Sequence, residues 1–187
     1  LASAWPALEK AGLDYVLVVN GDTPLLDPQA LSAFMAKAVD EEADLAFISL
    51  DLKNPGSFGR VLRQNGAVRA IIEAKDYDPA KYGSEPGEIN AGIYFLRLAA
   101  VGPLLSKINN QNKSGEYYIT DLVGLAVEQG LKTLAYLAAD ERESQDLVQA
   151  FLGINSPAEL VRAEEYLRAA LVERWLAAGV LIRNPSA

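Results

Sequence analysis

Apolar and polar positions alternate along this chain in blocks that predict strands and helices in turn. The first block is the uninterrupted apolar run 15–19, and such runs are typical of a central parallel strand covered on both faces. It ends at the turn cluster 20–24, after which Asp27 and Pro28 have the residue types of a helix N-cap and first helical position. The predicted apolar face of that helix is Leu31, Phe34, Met35, Ala38 and Val39.

The remaining blocks continue this alternation. Asn65-Gly66 lies between two short apolar runs and favours a type I′ hairpin turn. Ser156-Pro157-Ala158-Glu159 has the pattern of a capping box at the start of a long helix, and we expect the Met and aromatic positions on helix faces to be core. The other predicted elements are a strand at 44–50, hairpin strands at 60–64 and 67–74, an exposed loop at 76–87, a strand at 88–96, a helix at 98–108, a helix at 119–127 closed by Gly130, a strand at 132–138, and a long helix through Leu160, Leu167, Leu171 and Trp175 to Gly179.

This order of elements predicts an α/β fold. We expect a Rossmann-like, mixed but mostly parallel sheet with helices on both faces and an inserted β-hairpin lobe. Residues 1–187 are interpreted as the later part of one such domain, without a second domain. Ligands of open α/β sheets lie beyond the carboxyl ends of the strands, and Asn20-Gly21-Asp22 follows the first predicted strand at such an end.

Composition narrows the chemistry. The 187 residues include 25 acidic and 17 basic side chains, for a net charge of −8, which disfavours nucleic acids and anionic membranes as partners. Cys and His are absent, so disulfides, thiolate or Ser-His-Asp catalysis and Cys- or His-based metal sites are excluded. No apolar run approaches the length of a membrane span, and we expect a cytoplasmic protein whose chemistry uses carboxylates, amides, hydroxyls and a hard metal ion.

Three groups of polar residues are candidates for that chemistry. Asp22 is either a Mg²⁺ ligand at the sheet edge or a turn residue that caps nearby amides. Phe58-Gly59-Arg60 and, on the paired strand, Glu73-Ala74-Lys75 either recognise a polyhydroxylated ligand, through Glu73 and the N–H of Gly59, or form a cross-strand surface ion-pair set. Asn90, flanked by Ile89 and Ile93, is either a ligand-binding amide or a satisfied core residue.

Two further candidates lie towards the C-terminus. Hydroxyl groups cluster in 115–121, where Thr120 or Asp121 is also a natural helix cap. Asn155 precedes the long helix and is either a turn residue or a neutral oxygen ligand for the metal held by Asp22.

Taken in order, these motifs resemble one family, the uridyltransferase domain of the bacterial bifunctional N-acetylglucosamine-1-phosphate uridyltransferase/glucosamine-1-phosphate acetyltransferases. The resemblance covers nearly the whole chain. Its most specific parts are the Gly-Glu-Tyr-Tyr-Ile-Thr-Asp string at 115–121 and the Glu-Ile-Asn-x-Gly string at 88–92. The other matching motifs are Asn-Gly-Asp-Thr-Pro-Leu at 20–25, Asn-Pro-Gly-Ser-Phe-Gly-Arg-Val at 54–61, Ile-Glu-Ala-Lys-Asp at 72–76 and Gly-Ile-Asn at 153–155.

The resemblance implies a nucleotide-diphospho-sugar transferase fold and a Mg²⁺-assisted reaction. UTP and N-acetylglucosamine 1-phosphate would give pyrophosphate and UDP-N-acetylglucosamine, a precursor of peptidoglycan and lipopolysaccharide. Matched position by position, Asp22 and Asn155 would be the catalytic metal ligands. The residues implied to contact the sugar nucleotide, besides those two, are Asn20, Gly21, Gly59, Glu73 and Asn90, with Tyr118 and Thr120 close by.

The departures from the family pattern concern both ends. The family's N-terminal Gly-rich loop, which holds the triphosphate, has no counterpart, since Gly-x-Gly occurs nowhere in the 187 residues. We also expect these 187 residues to lack the acetyltransferase domain through which the family trimerises. We therefore expect the chain alone to have little or no transferase activity and to be a monomer or weak dimer. Two alternatives stay open: a nucleotidyltransferase that uses glucose 1-phosphate or dTTP, and a non-catalytic sugar-nucleotide-binding homologue.

Overall fold

A computed structural model describes residues 1–140, 148 and 150–184 of the chain. The strands are β1 (Tyr15–Val18), β2 (Leu45–Asp51), β3 (Arg60–Gln64), β4 (Ala67–Ile72), β5 (Glu88–Arg97) and β6 (Thr133–Asp140). The helices are α1 (Trp5–Lys10), α2 (Pro28–Asp40), α3 (Pro79–Tyr82), α4 (Leu98–Val101), α5 (Asp121–Glu128) and α6 (Pro157–Ala177). Short 3₁₀ turns cover Ala2–Ala4 and Gly102–Lys107.

Strand β5 is the centre of the sheet. The strand order is β4-β3-β5-β2-β6, and β1 pairs with β5 beside β3. Tyr15 of β1 lies opposite Arg97 near the end of β5, whereas Arg60 of β3 lies opposite Ile89 near its start. Both pairings are antiparallel, as is that of β2 with β5.

The sheet is mixed, as predicted, but the expectation of mostly parallel pairing is wrong. Among the described strands, β2 and β6 form the one parallel pair. The physical reason is the place of β5, which runs opposite to β1, β2 and β3 and lies between them. The prediction that the apolar run 15–19 is a central parallel strand is also wrong. Strand β1 is half-buried, and its described partner β5 is antiparallel to it.

Helices cover both faces of the sheet, which confirms the predicted layering. Ile48 on β2 belongs to the apolar cluster that contains Phe34 of α2. Its neighbour Phe47 points to the other face and belongs to the cluster that contains Leu122 of α5. This period-two alternation of fully buried residues is the pattern of a strand between two helical layers.

Local signals in the sequence determine several turns and caps. The side chain of Asp27 accepts a hydrogen bond of 2.9 Å from the backbone N–H of Gln29 and caps α2, which has Pro28 at its start. Asn65 and Gly66 have φ angles of +52° and +82°, and two consecutive positive φ angles are what a type I′ hairpin turn requires. The predicted hairpin and helix start are therefore confirmed.

Two predicted elements differ from the structure. The helix expected at 98–108 is the short α4 followed by the 3₁₀ turn Gly102–Lys107. Pro103 lies at the start of that turn and has no N–H to donate to an α-helical hydrogen bond. The loop expected at 76–87 contains the short helix α3, capped by the side chain of Asp78.

Helix α6 begins and ends as predicted but does not pack as predicted. The backbone N–H of Glu159 donates to Ser156 Oγ at 3.2 Å, and the Glu159 carboxylate accepts from the N–H of Asn155 at 2.6 Å. Gly179, with φ +84°, follows the helix end. Trp175, expected in the core, is 50% exposed, and none of the residues 157–177 is buried. Val39, on the predicted apolar face of α2, is also exposed.

No helix in the described ranges combines the length and the apolar character that crossing a membrane would require.

Candidate functional site

A cavity of about 270 Å³ lies where the turn after β1, the loop before β3, the end of β4 and the start of β5 meet. The segment that leads into α6 also lines it, through Gly153 and Asn155. Because β5 is antiparallel to β1 and β2, its first residues lie at the same edge of the sheet as their carboxyl ends. Six of the nine predicted site residues line the cavity, namely Asn20, Asp22, Gly59, Glu73, Asn90 and Asn155.

The turn after β1 is held by two hydrogen bonds and lies against Gly92 of β5. Thr23 Oγ1 donates to the carbonyl of Asn20 at 2.9 Å. The N–H of Ile154 donates to the carbonyl of Asp22 at 2.8 Å and ties this turn to the segment before α6. The Asn20 amide lies directly against Gly92, whose φ is +78° and where a Cβ would collide with Asn20 Nδ2. Both the backbone angle and the close approach favour glycine at this position.

Asp22 and Asn155 present oxygen atoms from two segments to the same cavity. A Cβ atom placed on Gly153 would lie 2.9 Å from Asp22 Oδ2, so the carboxylate lies directly against that backbone. Asn155 Nδ2 donates to the carbonyl of Gly153 at 3.3 Å. Because the amide nitrogen makes this bond, Oδ1 is the side-chain atom of Asn155 that remains to bind a cation.

Among the described residues, the side-chain partner of Glu73 is the hydroxyl of Thr120. Thr120 Oγ1 donates to Glu73 Oε1 at 2.8 Å, across 47 positions of sequence. Thr120 occupies the N-cap position of α5, but its side chain makes no capping bond there, so the predicted alternative role as a helix cap is wrong. Arg60 pairs with Glu85, and the ion pairs within the described ranges include no cross-strand pair of Glu73.

Gly59 lies close to Glu73. A Cβ on Gly59 would lie 3.5 Å from Glu73 Oε1 and 2.9 Å from the Cγ2 methyl group of Ile71. Any side chain at this position would press on the neighbouring strand and on the carboxylate. Gly59 is itself buried and lines the cavity without a side chain.

Asn90 combines the two roles that the sequence left open. Its Nδ2 donates to Tyr94 Oη at 2.7 Å, and its Oδ1 accepts from the N–H of Gly92 at 3.1 Å. Its own N–H donates to the carbonyl of Gly59 at 2.9 Å. Asn90 is thus a buried, hydrogen-bonded amide that also lines the cavity. Burial raises the pKa of the Tyr94 hydroxyl well above its usual range, so Tyr94 remains a neutral partner.

Three predicted residues do not line the cavity. Gly21 is exposed in the turn after β1, and Tyr118 lies just before α5, where its carbonyl accepts from the N–H of Asp121 at 3.3 Å. Thr120 acts on the cavity through its bond to Glu73. Burial raises the pKa of the neighbouring Asp121, and the charges of Glu73 and Asp76 add to this shift.

Sequence reasoning missed Tyr94 as a partner of Asn90. The available signal was parity, since residues four apart in a strand point to the same face. Ser57 and Phe58, which stand in a recognised motif but were not predicted as site residues, line both this cavity and a larger neighbouring one of about 690 Å³ beside the start of α6.

The sequence of this chain is similar to those of known proteins. No family model matches the chain. The bifunctional protein GlmU of Nitratidesulfovibrio vulgaris strain Hildenborough is 52% identical over 185 residues, which are 99% of this chain and 39% of that protein. GlmU of Oleidesulfovibrio alaskensis is 50% identical over 180 residues, or 96% of this chain and 38% of that protein.

A solved structure gives the fold. It is a putative glucose-1-phosphate thymidylyltransferase from Bacillus anthracis, with a TM-score of 0.54 and 20% identity, covering 73% of this chain and 52% of that one. The nucleotide-sugar transferase fold expected from the sequence is thereby confirmed. The chain is a homologue of the bifunctional GlmU proteins over the roughly two fifths (39%) of their length that it spans.

Proposed function

We propose that this chain carries the sugar-phosphate-binding and metal-binding part of a sugar-1-phosphate uridyltransferase that makes UDP-N-acetylglucosamine from UTP and N-acetylglucosamine 1-phosphate. The single observation that carries the proposal is the cavity in which Asn20, Asp22, Glu73, Asn90 and Asn155 meet. The similarity to GlmU proteins supports it. Their whole activity is attributed to this protein as part of the proposal, because the chain spans 39% of their length.

The reaction suits a chain without His or Cys. A phosphate oxygen of the sugar phosphate attacks the α-phosphorus of UTP, the new P–O bond forms, and the bond to pyrophosphate breaks. No covalent intermediate with the protein is needed. Such a transfer depends on alignment of the reactants and on neutralising their negative charge.

The donor set at Asp22 and Asn155 fits a magnesium ion. A carboxylate and an amide oxygen are hard ligands, and Mg²⁺ is commonly held by one or two protein oxygens together with substrate phosphates and water. The absence of a side chain at Gly153 leaves room for the Asp22 carboxylate. When bound, the ion would neutralise phosphate charge during the transfer.

The other cavity residues are suited to a sugar. Glu73, fixed by Thr120, can accept a hydrogen bond from a sugar hydroxyl, and the N–H of Gly59 can donate one. The Asn90 amide has a second N–H beyond the one bound to Tyr94 and can serve a hydroxyl or acetamido oxygen. Gly21 and Tyr118 are proposed to contribute from the rim. We expect this activity in the cytoplasm, where nucleoside triphosphates are available.

The test is pyrophosphate release by the full-length protein. We expect turnover with UTP and N-acetylglucosamine 1-phosphate that depends on Mg²⁺ and falls sharply with glucose 1-phosphate or dTTP. Asp22→Ala should abolish the rate, whereas Asp40→Ala, an exposed carboxylate at the end of α2, should leave it unchanged. Binding of UDP-N-acetylglucosamine without any turnover would identify a non-catalytic homologue instead.

A further inference from the structure

We propose that Arg60 is a positioning residue, whose guanidinium holds the peptide between Phe58 and Gly59 so that the Gly59 N–H keeps its direction at the cavity. Arg60 itself does not line the cavity. The consequence for catalysis rests on the proposed function, but the restraint on the backbone can be measured without it.

The Arg60 side chain is only 4% exposed. Its Nη1 donates to the carbonyl of Phe58 and, at 3.4 Å, to that of Pro55, while Nη2 donates to the carbonyl of Gly56 at 2.7 Å. Nε donates to Glu85 Oε1 at 2.8 Å. A buried charge is costly unless it is paired and hydrogen-bonded, and here the guanidinium meets that condition by filling the inside of the 55–58 turn.

The bond to Phe58 is the one that matters for the cavity. The carbonyl of Phe58 and the N–H of Gly59 belong to a single peptide unit, which is planar. Fixing the carbonyl oxygen therefore fixes the plane and the direction of that N–H. The next peptide unit is fixed as well, because the carbonyl of Gly59 accepts from the N–H of Asn90 at 2.9 Å.

Glycine makes this external restraint necessary. A residue without Cβ has more accessible backbone conformations than any other, so Gly59 does not set its own orientation. A Cβ at this position would force the Ile71 methyl group to move and would bring the side chain into contact with Glu73. Gly59 is thus conformationally free on its own, and the buried guanidinium of Arg60 restricts its backbone.

Lysine cannot replace this side chain. The planar guanidinium donates in several fixed directions at once, whereas an ammonium group is a compact point charge. Arg60→Lys keeps the charge and loses the geometry. Arg63→Lys is the matched control, since Arg63 is on the same strand, is bound to Glu88 through Nε and Nη2 at 2.6 and 2.7 Å, and does not line the cavity.

The experiment measures two quantities on the full-length protein and both variants. In Arg60→Lys we expect amide hydrogen exchange in the peptide covering residues 54–60 to be about tenfold faster, because a local restraint on the backbone is lost. We also expect KM for N-acetylglucosamine 1-phosphate to rise about tenfold, with KM for UTP and kcat unchanged, since a contact made equally in ground and transition states is weakened. Arg63→Lys should change none of these.

The outcomes separate the two proposals. Unchanged exchange in the 54–60 peptide of Arg60→Lys would overturn the positioning role, and so would faster exchange with an unchanged KM for the sugar phosphate. An equal loss for both substrates would indicate general damage and also overturn it. Absence of turnover in the wild type would refute the proposed function, while the exchange data would still decide whether Arg60 restrains Gly59.

A second variant serves if Arg60→Lys does not fold. Glu85→Gln removes the charge partner of Arg60 from a side chain that is 47% exposed and leaves the bonds to the turn carbonyls possible. We expect faster exchange in the same peptide, by a smaller factor. Exchange identical to that of the wild type would count against the proposal.

Discussion

The variant Gly153→Ala tests whether activity depends on the position of the Asp22 carboxylate. The new Cβ would be 2.9 Å from Asp22 Oδ2, and ordinary van der Waals contact begins at 3.4 Å, so the carboxylate must retreat by about 0.5 Å. The φ angle of Gly153 is not in the left-handed region, so alanine adds no backbone strain. Misplacing a reacting group by 1 Å can cost on the order of 10²-fold in rate, and half that shift costs about tenfold, or about 1.4 kcal/mol.

The assay is the initial rate of pyrophosphate release by the full-length protein across a range of Mg²⁺ concentrations. Gly124→Ala is the matched control, because its Cβ would meet Ala70 Cβ at a comfortable 3.8 Å within α5. It should keep the wild-type rate and raise the free energy of unfolding by up to about 1 kcal/mol through helix propensity. Wild-type rates for Gly153→Ala at every Mg²⁺ concentration would refute the role given to the Asp22 carboxylate.

Three further predictions concern the surroundings of the site. Tyr94→Phe removes the acceptor for Asn90 Nδ2; we expect about 1 kcal/mol less stability in urea unfolding and a several-fold higher KM for the sugar phosphate, and an unchanged KM would contradict the orienting role. Ser156→Ala removes the cap of α6 and should cost about 1 kcal/mol in the same unfolding assay. Burial and the charge of Glu73 raise the pKa of the Asp121 carboxyl group in the folded state. The contribution of Asp121 to the free energy of unfolding is therefore fully present below the unfolded-state pKa. It is lost as pH rises through the folded-state pKa. The stability of the wild type minus that of Asp121→Asn should therefore decrease with rising pH, and a flat difference between pH values on both sides of the carboxyl range would contradict this.

Features fixed by local backbone chemistry could be predicted from the sequence. The cap at Asp27, the hairpin turn at Asn65-Gly66 and the start of α6 at Ser156 each depend on a few consecutive residues. A side-chain oxygen before a helix or a pair of positive φ angles is determined by those residues alone. The residues that meet in the cavity come from distant segments, and they were expected together because their motifs resemble those of one family.

Features that depend on distant parts of the chain could not be predicted. The bond between Thr120 and Glu73 joins residues 47 positions apart, and nothing near either residue indicates it. The apolar residues of α6 have the spacing of a buried helix face, yet Trp175 is half-exposed. Periodicity indicates which residues share a face of a helix but not whether another element covers that face.

The place of β5 in the sheet also constrains the order in which the fold assembles. Tyr15 of β1 pairs with Arg97, which lies 82 residues later in the chain. The β3–β4 hairpin, in contrast, can form from residues 60–72 alone. Long-range pairings must offset the entropy of closing the intervening loop before they stabilise anything, which slows folding. During synthesis, β1 and β2 can pair with β5 only after residues 88–97 have been made. The cavity forms later still, because Gly153 and Asn155 also line it.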